Sequence, residues 1–270
     1  MSSINWVIQE KPFKEDLTCL KEEIIKQGHS LYLIEYTPFV EEQKFPKLCE
    51  NTVFYGSLEM AAKLKRQTNW LGLFCDLEKF KCTTYYPELS EFCLNFPYSI
   101  LPLGDFDRLR NYLFNSLGVS NSLFIRPNNG FKQFTGGVID EKESLEHFLC
   151  GSHFFKNDLV LVAKPTKIWR EWRLVACNKK IITASQYQKY GLLEKEMGCP
   201  PEVLELGNRI ANKWQPEQAF IIDIAETHDG YYLLELNSFS CSGLYECESR
   251  EIVRKVSQLV LGLYHDYKGI

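Results

Sequence analysis

The chain has 270 residues, a formal net charge of −4, and 45% hydrophobic and 14% aromatic content. That is enough apolar material for one large or two to three small subdomains with well-packed cores. The slight negative charge disfavours general binding to nucleic acid or anionic membrane, and no apolar run approaches the roughly 18 residues of a membrane span. Residues 1–16 lack the basic and apolar regions of a secretion signal, so a cytoplasmic location is expected. Ten cysteines are present, none at Cys-x-x-Cys spacing. Without a secretion signal they read as reduced thiols filling space, not as disulfides or a structural zinc site.

Trp6-Val7-Ile8 predicts a short strand, followed by a helix over 14–26 with Leu17, Leu20, Ile24 and Ile25 on one face. Gly28 ends that helix, and Leu31-Tyr32-Leu33-Ile34 is the next strand. Val53-Phe54-Tyr55 is a third, after which Ser57 can cap a helix running to about residue 65. Leu71-Gly72-Leu73-Phe74 predicts a further strand. The rhythm is βαβ, a small parallel sheet with crossover helices and no Gly-rich dinucleotide turn.

A proline-containing transition over 76–117 ends in a helix from about residue 105, lined by Leu109, Leu113 and Leu117. Then come a strand at 123–125, a glycine-containing loop, a helix over 141–150 and a strand over 159–163. Residues 172–177 and 180–184 read as antiparallel strands joined at Asn178. A helix over 201–213 begins at Pro201, where proline is tolerated, and buries Val203, Leu206 and Ile210. The last helix, 249–267, carries a stripe from Ile252 to Leu263.

Between those two helices lies FIIDIAETHDGYYLLELN, residues 220–237. Two apolar strands flank His228-Asp229-Gly230, and Asp-Gly is a strong hairpin signal. Glu235 and Asn237, two apart on a strand, share a face, and Asp223 on the partner strand can sit beside them. Two carboxylates and an amide form a hard-oxygen set suited to Mg²⁺, which takes few carboxylates plus substrate phosphates. A solvated hairpin would be the simpler reading of acidic residues at a turn. Leu-Leu-Glu-Leu-Asn weighs against it, because a carboxylate among leucines needs a partner.

A second constellation is FIRPNNGFKQFTGG, residues 124–137. An apolar strand ends at Arg126, followed by Pro-Asn-Asn-Gly, Lys132 and Thr135-Gly136-Gly137. Such glycines let N–H groups approach phosphate oxygens while Arg and Lys supply charge, though most glycine loops simply turn. No Gly-Lys-Ser/Thr opens a helix, so this is not a Walker loop. Glu171 and Arg173 share a strand face. They form either a surface ion pair or, beside a nucleotide, a cation for its terminal phosphates.

In this order the pieces resemble the ATP-grasp superfamily over about residues 100–270. The βαβ region is similar to the pre-ATP-grasp domain that often precedes it. More narrowly, the chain resembles ATP-grasp proteins related to the ribosomal-protein glutamate ligases, in the clade carrying arginine at a nucleotide-lysine position. The implied fold class is α+β and α/β: two antiparallel-sheet α+β subdomains holding ATP between them, after a small βαβ domain. The expected division is 1–99 and 100–270, the latter split into a nucleotide-covering part, 118–163, and a metal- and acceptor-binding part, 164–270.

Carried over residue by residue, Arg126 would contact phosphates where lysine is usual, with Lys132 and the amides of Thr135, Gly136 and Gly137 as the flexible cover. Val162 and Ala163, with Lys164 beside them, would be the hinge that reads the adenine edge. Arg173 would neutralise the γ-phosphate and acyl-phosphate. Asp223, Glu235 and Asn237 would hold Mg²⁺, for which Mn²⁺ could substitute. Ser238, Ser240, Ser242 and Tyr245 would face the acceptor, with Tyr187 and Tyr190 as further candidates for its lining. The chain departs from the family in lacking an acidic residue at the hinge. It also lacks an evident earlier nucleotide lysine; Arg108 and Arg110 are candidates that fit a solvated helix face better.

The implied function is an ATP-dependent carboxylate–amine ligase forming an amide or peptide bond through an acyl-phosphate. Its partners would be a small-molecule, peptide or protein carboxylate and an amine acceptor, with no nucleic acid or membrane. The same scaffold also serves small-molecule kinases and non-catalytic ATP-binding modules, and oligomeric state is not legible.

Overall fold

The computed structural model describes residues 3–9, 11, 17–35, 45–130, 133–152 and 154–269. Near the start, β1 (Asn5–Gln9) pairs in parallel with β2 (Ser30–Ile34) on one side and β3 (Thr52–Tyr55) on the other. Helix α1 (Thr18–Lys26) makes the first crossover, with Leu20 and Ile24 buried as its spacing predicts, but Ile25, expected on the same face, is exposed, and the expected helix start at 14–16 lies outside the described residues. Helix α2 (Leu58–Gln67) follows β3, and Ser57 caps it by accepting from the Met60 amide at 3.2 Å.

The expected strand at 71–74 is not formed. Gly72 makes only an isolated bridge to Val53, and its Cα lies so close to Thr52 and Val53 that a Cβ would meet backbone at 2.7 Å. Close packing of one glycine replaces a ladder there. Helix α3 (Cys82–Leu89) was not predicted; Pro87 sits within it, and Tyr85, Tyr86 and Leu89 are buried.

Four strands then build an antiparallel sheet in the order β4-β7-β5-β6: β4 (Tyr98–Pro102), β5 (Ser122–Pro127), β6 (Gly137–Asp140) and β7 (Leu159–Ala163). Helix α4 (Phe106–Leu117) covers it, and the two share a core of Phe106, Leu113, Ile125 and Val160. The helix expected over 141–150 shrinks to α5 (Leu145–Phe148), capped by Ser144. The division drawn at 99/100 falls inside β4, whose whole length pairs with β7.

The second antiparallel sheet has the order β10-β9-β8-β11-β12. It comprises β8 (Arg170–Cys177), β9 (Lys180–Lys189), the unpredicted edge strand β10 (Leu192–Met197), β11 (Ala219–Thr227) and β12 (Gly230–Ser238). Asn178 and Lys179 turn β8 into β9 with positive φ at both positions, as a two-residue hairpin with right-handed strand twist requires.

One face of this sheet packs Leu174, Ile222 and Ile224 against α6 (Pro201–Lys213) and α3. The other packs Val175 and Ile221 with Val253 and Val256 of α7 (Ser249–Lys268) and with Trp6 and Tyr55 of the parallel sheet. Trp6 Nε1 also donates to Ser257 Oγ at 3.0 Å, tying α7 to β1. Among the described residues no helix is long and apolar enough to cross a membrane.

Candidate functional site

The polar cluster at the centre follows from strand register. Asp223 on β11 stands opposite Arg173 on β8 and opposite Glu235 on β12. Alternation puts Asp223 on one sheet face, and Asn237, two residues beyond Glu235, joins it. Arg173 holds Asp223 by two bonds, Nε to Oδ1 at 2.9 Å and Nη2 to Oδ2 at 2.7 Å, and its Nη1 donates to the Gly243 carbonyl at 2.8 Å. Asn237 Nδ2 bridges Asp223 Oδ2 at 3.0 Å and Glu235 Oε1 at 2.9 Å.

Arg126 arrives from the other sheet. Its Nη2 donates to Glu235 Oε2 at 2.8 Å and its Nη1 to the Leu234 carbonyl at 3.2 Å. The register slips between Asp223 and Ile224, which leaves Leu234 as the extra residue of a β-bulge and turns its carbonyl toward Arg126. Two largely buried carboxylates are thus matched by two guanidinium groups, as desolvated charges require.

The three residues expected to bind metal therefore meet, and so do both arginines. All three expected ligand side chains carry oxygen, and a half-turn of the Asn237 amide would bring Oδ1 where Nδ2 now lies. Among the described residues no cluster of three or more His, Cys, Asp or Glu could hold a metal unaided. A set of two carboxylates and one amide fits Mg²⁺, which leaves most of its shell to phosphate and water.

Glu171 lies close by, also on β8. It accepts from the Tyr187 hydroxyl and from Gln188 Nε2, and burial pushes its carboxyl above the ordinary range. Tyr187 stacks on Tyr245 with centroids 4.8 Å apart and planes 7° from parallel. The Arg173 guanidinium carbon lies 4.9 Å from the Tyr245 centroid and 5.4 Å from that of Tyr187. Cation and aromatic faces thus fix one another.

A cavity of about 240 Å³ opens on this cluster. Arg173, Asn237, Ser238, Ser242 and Tyr245 form its polar wall, while Leu58, Leu77 and Phe80 from the N-terminal half form its apolar wall. Larger hollows of about 1060 Å³ beside Phe45 and Trp70 and about 810 Å³ between α1 and α7 lack the carboxylate–arginine array. Chemistry, not size, marks the site.

Other expected residues are placed differently. Ser240 is fully buried, its Oγ accepting from the Phe74 amide at 3.0 Å; it tethers the loop and is not part of this cavity's lining. Tyr190 is 64% exposed and outside the cavity lining. Val162 and Ala163 lie between β4 and β5, in register with both, so they present no open strand edge to an adenine. Lys164 is the first residue past β7 and is exposed, so free main chain begins there. Thr135 and Gly136 are exposed and Gly137 opens β6. A Cβ on Gly136 would meet Arg126 Cβ at 2.9 Å, so glycine lets the loop lie against the strand that carries the arginine. Lys132 lies outside the described residues. Arg108 pairs with Asp105 and is exposed, which suits the solvated helix-face reading, whereas Arg110 pairs with Asp107 but is largely buried and also donates to the Glu141 carbonyl at 3.0 Å.

The family described as ATP-grasp domain, R-to-K clade, family 2, matches residues 110–254. No curated protein matches the chain in sequence. Among solved structures, D-cycloserine synthetase DcsG aligns over 96% of this chain and 100% of its own, with a TM-score of 0.67 at 12% identity. A RimK domain protein ATP-grasp from Sphaerobacter thermophilus aligns over 96% and 100%, with a TM-score of 0.60 at 14% identity. D-alanine–D-alanine ligase from Bacillus anthracis aligns over 98% and 100%, with a TM-score of 0.61 at 11% identity. At such identities the likeness is one of fold.

Proposed function

Because the chain belongs to the ATP-grasp domain family of the R-to-K clade, family 2, we propose that it is an ATP- and Mg²⁺-dependent carboxylate–amine ligase. The observation that carries this reading is the continuous array Arg173–Asp223–Asn237–Glu235–Arg126 beside the small polar cavity. Its two carboxylates and amide would hold Mg²⁺, which supplies charge neutralisation for the phosphates when bound. Arg126 and Arg173, already desolvated, are positioned to exchange a carboxylate partner for phosphate oxygens. The guanidinium groups have already left bulk water and are oriented beforehand, and Mg²⁺ on the released carboxylates would compensate their charge.

The proposed reaction needs no protein nucleophile. A substrate carboxylate oxygen attacks the γ-phosphorus, ADP leaves, and the resulting acyl-phosphate loses inorganic phosphate to an attacking amine. The amine's surplus proton goes to solvent or to a nearby base. Arg173 faces both the metal-binding side chains and the cavity, so it can steady the transferred phosphoryl group and the activated acyl oxygen. Ser238, Ser242 and Tyr245 form the polar side of the acceptor region. Adenine would be read by main chain from Lys164 onward. The carboxylate is a small molecule, a peptide or a protein terminus, and the cavity would admit one amino-acid-sized group at a time.

A phosphate-release screen with ATP, Mg²⁺ and pooled amino acids or peptides, followed by mass spectrometry, tests the proposal. The expected product is an amide formed with one phosphate released per bond. A stable phosphoester would instead identify a kinase. Tight nucleotide binding without any turnover would leave only a binding module. Glu235→Ala and Asn237→Ala should each abolish the Mg²⁺-dependent turnover.

A further inference from the structure

Two of the ten cysteines touch each other. Cys241 Sγ lies 3.6 Å from Cys75 Sγ, and the residues are 166 apart in sequence. Their backbones are held together by neighbours, not by the thiols alone. The Phe74 amide donates to Ser240 Oγ at 3.0 Å, the Ser240 amide donates to the Phe74 carbonyl at 3.3 Å, and the Gly56 amide donates to the Ser240 carbonyl at 2.8 Å. The Cys241 amide is fixed in turn by Ser238 Oγ at 3.1 Å. Cys75 is buried, whereas Cys241 lines the cavity beside Arg173 and Asn237.

The surroundings favour thiol chemistry at this pair. The Cys241 S–H donor, followed by Ser238 and the nearby Lys65 cation, holds the Cys75 thiol below its ordinary range against the effect of burial. By contrast, Cys82, Cys93 and Cys177 are buried with thiols pushed up by desolvation, as inert core cysteines are. Cys19, Cys49 and Cys150 are exposed. The Cys75 sulfur and burial push the Cys241 thiol well above its ordinary range, so Cys75 is the member that ionises and Cys241 the member that lines the cavity.

We propose that Cys75 and Cys241 are a peroxide-oxidisable pair that closes to a reversible disulfide on the wall of this cavity. The Cys75 sulfur, as thiolate, attacks one oxygen of a hydroperoxide; the O–O bond breaks and water or an alcohol leaves, giving a sulfenic acid. The second sulfur attacks that sulfur, the S–O bond breaks, and the hydroxyl departs as water with the remaining thiol proton. With hydrogen peroxide the sum is two thiols and one peroxide giving one disulfide and two waters. The bond would fasten the loop over 238–245 to the segment after Phe74. This proposal stands apart from the ligase reading, since it concerns only these sulfurs.

The full-length protein is treated with hydrogen peroxide, alkylated, digested without reductant and analysed by mass spectrometry. The expected result is a peptide joining Cys75 to Cys241, reversed by dithiothreitol and about tenfold more abundant than any other cysteine pair. Cys75→Ser should lose that peptide while its circular dichroism stays that of wild type. Independent alkylation of Cys75 and Cys241 after peroxide, sulfinic acid on either without a cross-link, or an indiscriminate mixture of pairs would each overturn the proposal.

Discussion

Single side chains show how charge is managed inside this protein. Arg173 and Asp223 are a bidentate pair with Asp223 wholly buried, so either residue without the other would leave an uncompensated charge. Glu217 is the opposite case. Its Oε1 accepts from the Asp76 amide at 3.2 Å, but its buried Oε2 meets no hydrogen-bond partner among the described residues. Burial pushes its carboxyl up to about 8 from the ordinary 4.5. The folded state then holds a proton that the unfolded chain has released above about pH 4.5. Stability from this group is intact below that pH, falls as pH rises, and is lost once about pH 8 is passed. Glu217→Gln removes the titration, so the variant should gain on the order of 2 kcal/mol relative to wild type between about pH 5 and pH 9, a figure discounted for partial exposure. Urea midpoints across that range measure it, and parallel curves for the two proteins would refute the assignment.

Elements differ in how much of them the residues disclose. The β11–β12 hairpin was legible because Asp-Gly marks its turn and because Glu235 and Asn237 need a common face. Helix α6 was legible too, from Pro201 at its start and the spacing of Val203, Leu206 and Ile210. Strand β10 was not, since all six residues of LLEKEM are exposed and no alternation marks a buried face. Helix α3 was hidden by Pro87, and β4 by its bounding prolines. Glycines inside helices make the same point about context. Gly207 sits where α6 meets β8; a Cβ there would lie 2.4 Å from Leu174 Cδ2, and Leu174 is itself fully buried. Gly262 in α7 has nothing within 4 Å of that position. Gly262→Ala should therefore stabilise by roughly 0.5–1 kcal/mol through helix propensity. Gly207→Ala should destabilise by about 1–3 kcal/mol through overpacking. Denaturant midpoints of the two variants must move in opposite directions.

At the scale of the whole molecule, the candidate site is also a joint. Arg126 belongs to the four-stranded sheet and Glu235 to the five-stranded one, 109 residues apart in sequence, and neither position predicts the other. Sequence reading found both as site residues from their local motifs, but their pairing depends on how two sheets pack and on the bulge at Leu234. Both side chains are largely buried, at 15% and 16% exposure, so the bridge is drier than an ordinary surface pair. Removing one partner leaves the other's charge desolvated without its counter-charge, and the expected loss is about 3 kcal/mol for Arg126→Met or Glu235→Met singly. The double variant leaves no orphan charge across the joint, so it should be less destabilised than the sum of the two. Chemical denaturation of all four proteins closes the cycle. Strict additivity would mean that the two sheets do not communicate through this bridge, and that Arg126 is available for phosphate without first releasing Glu235.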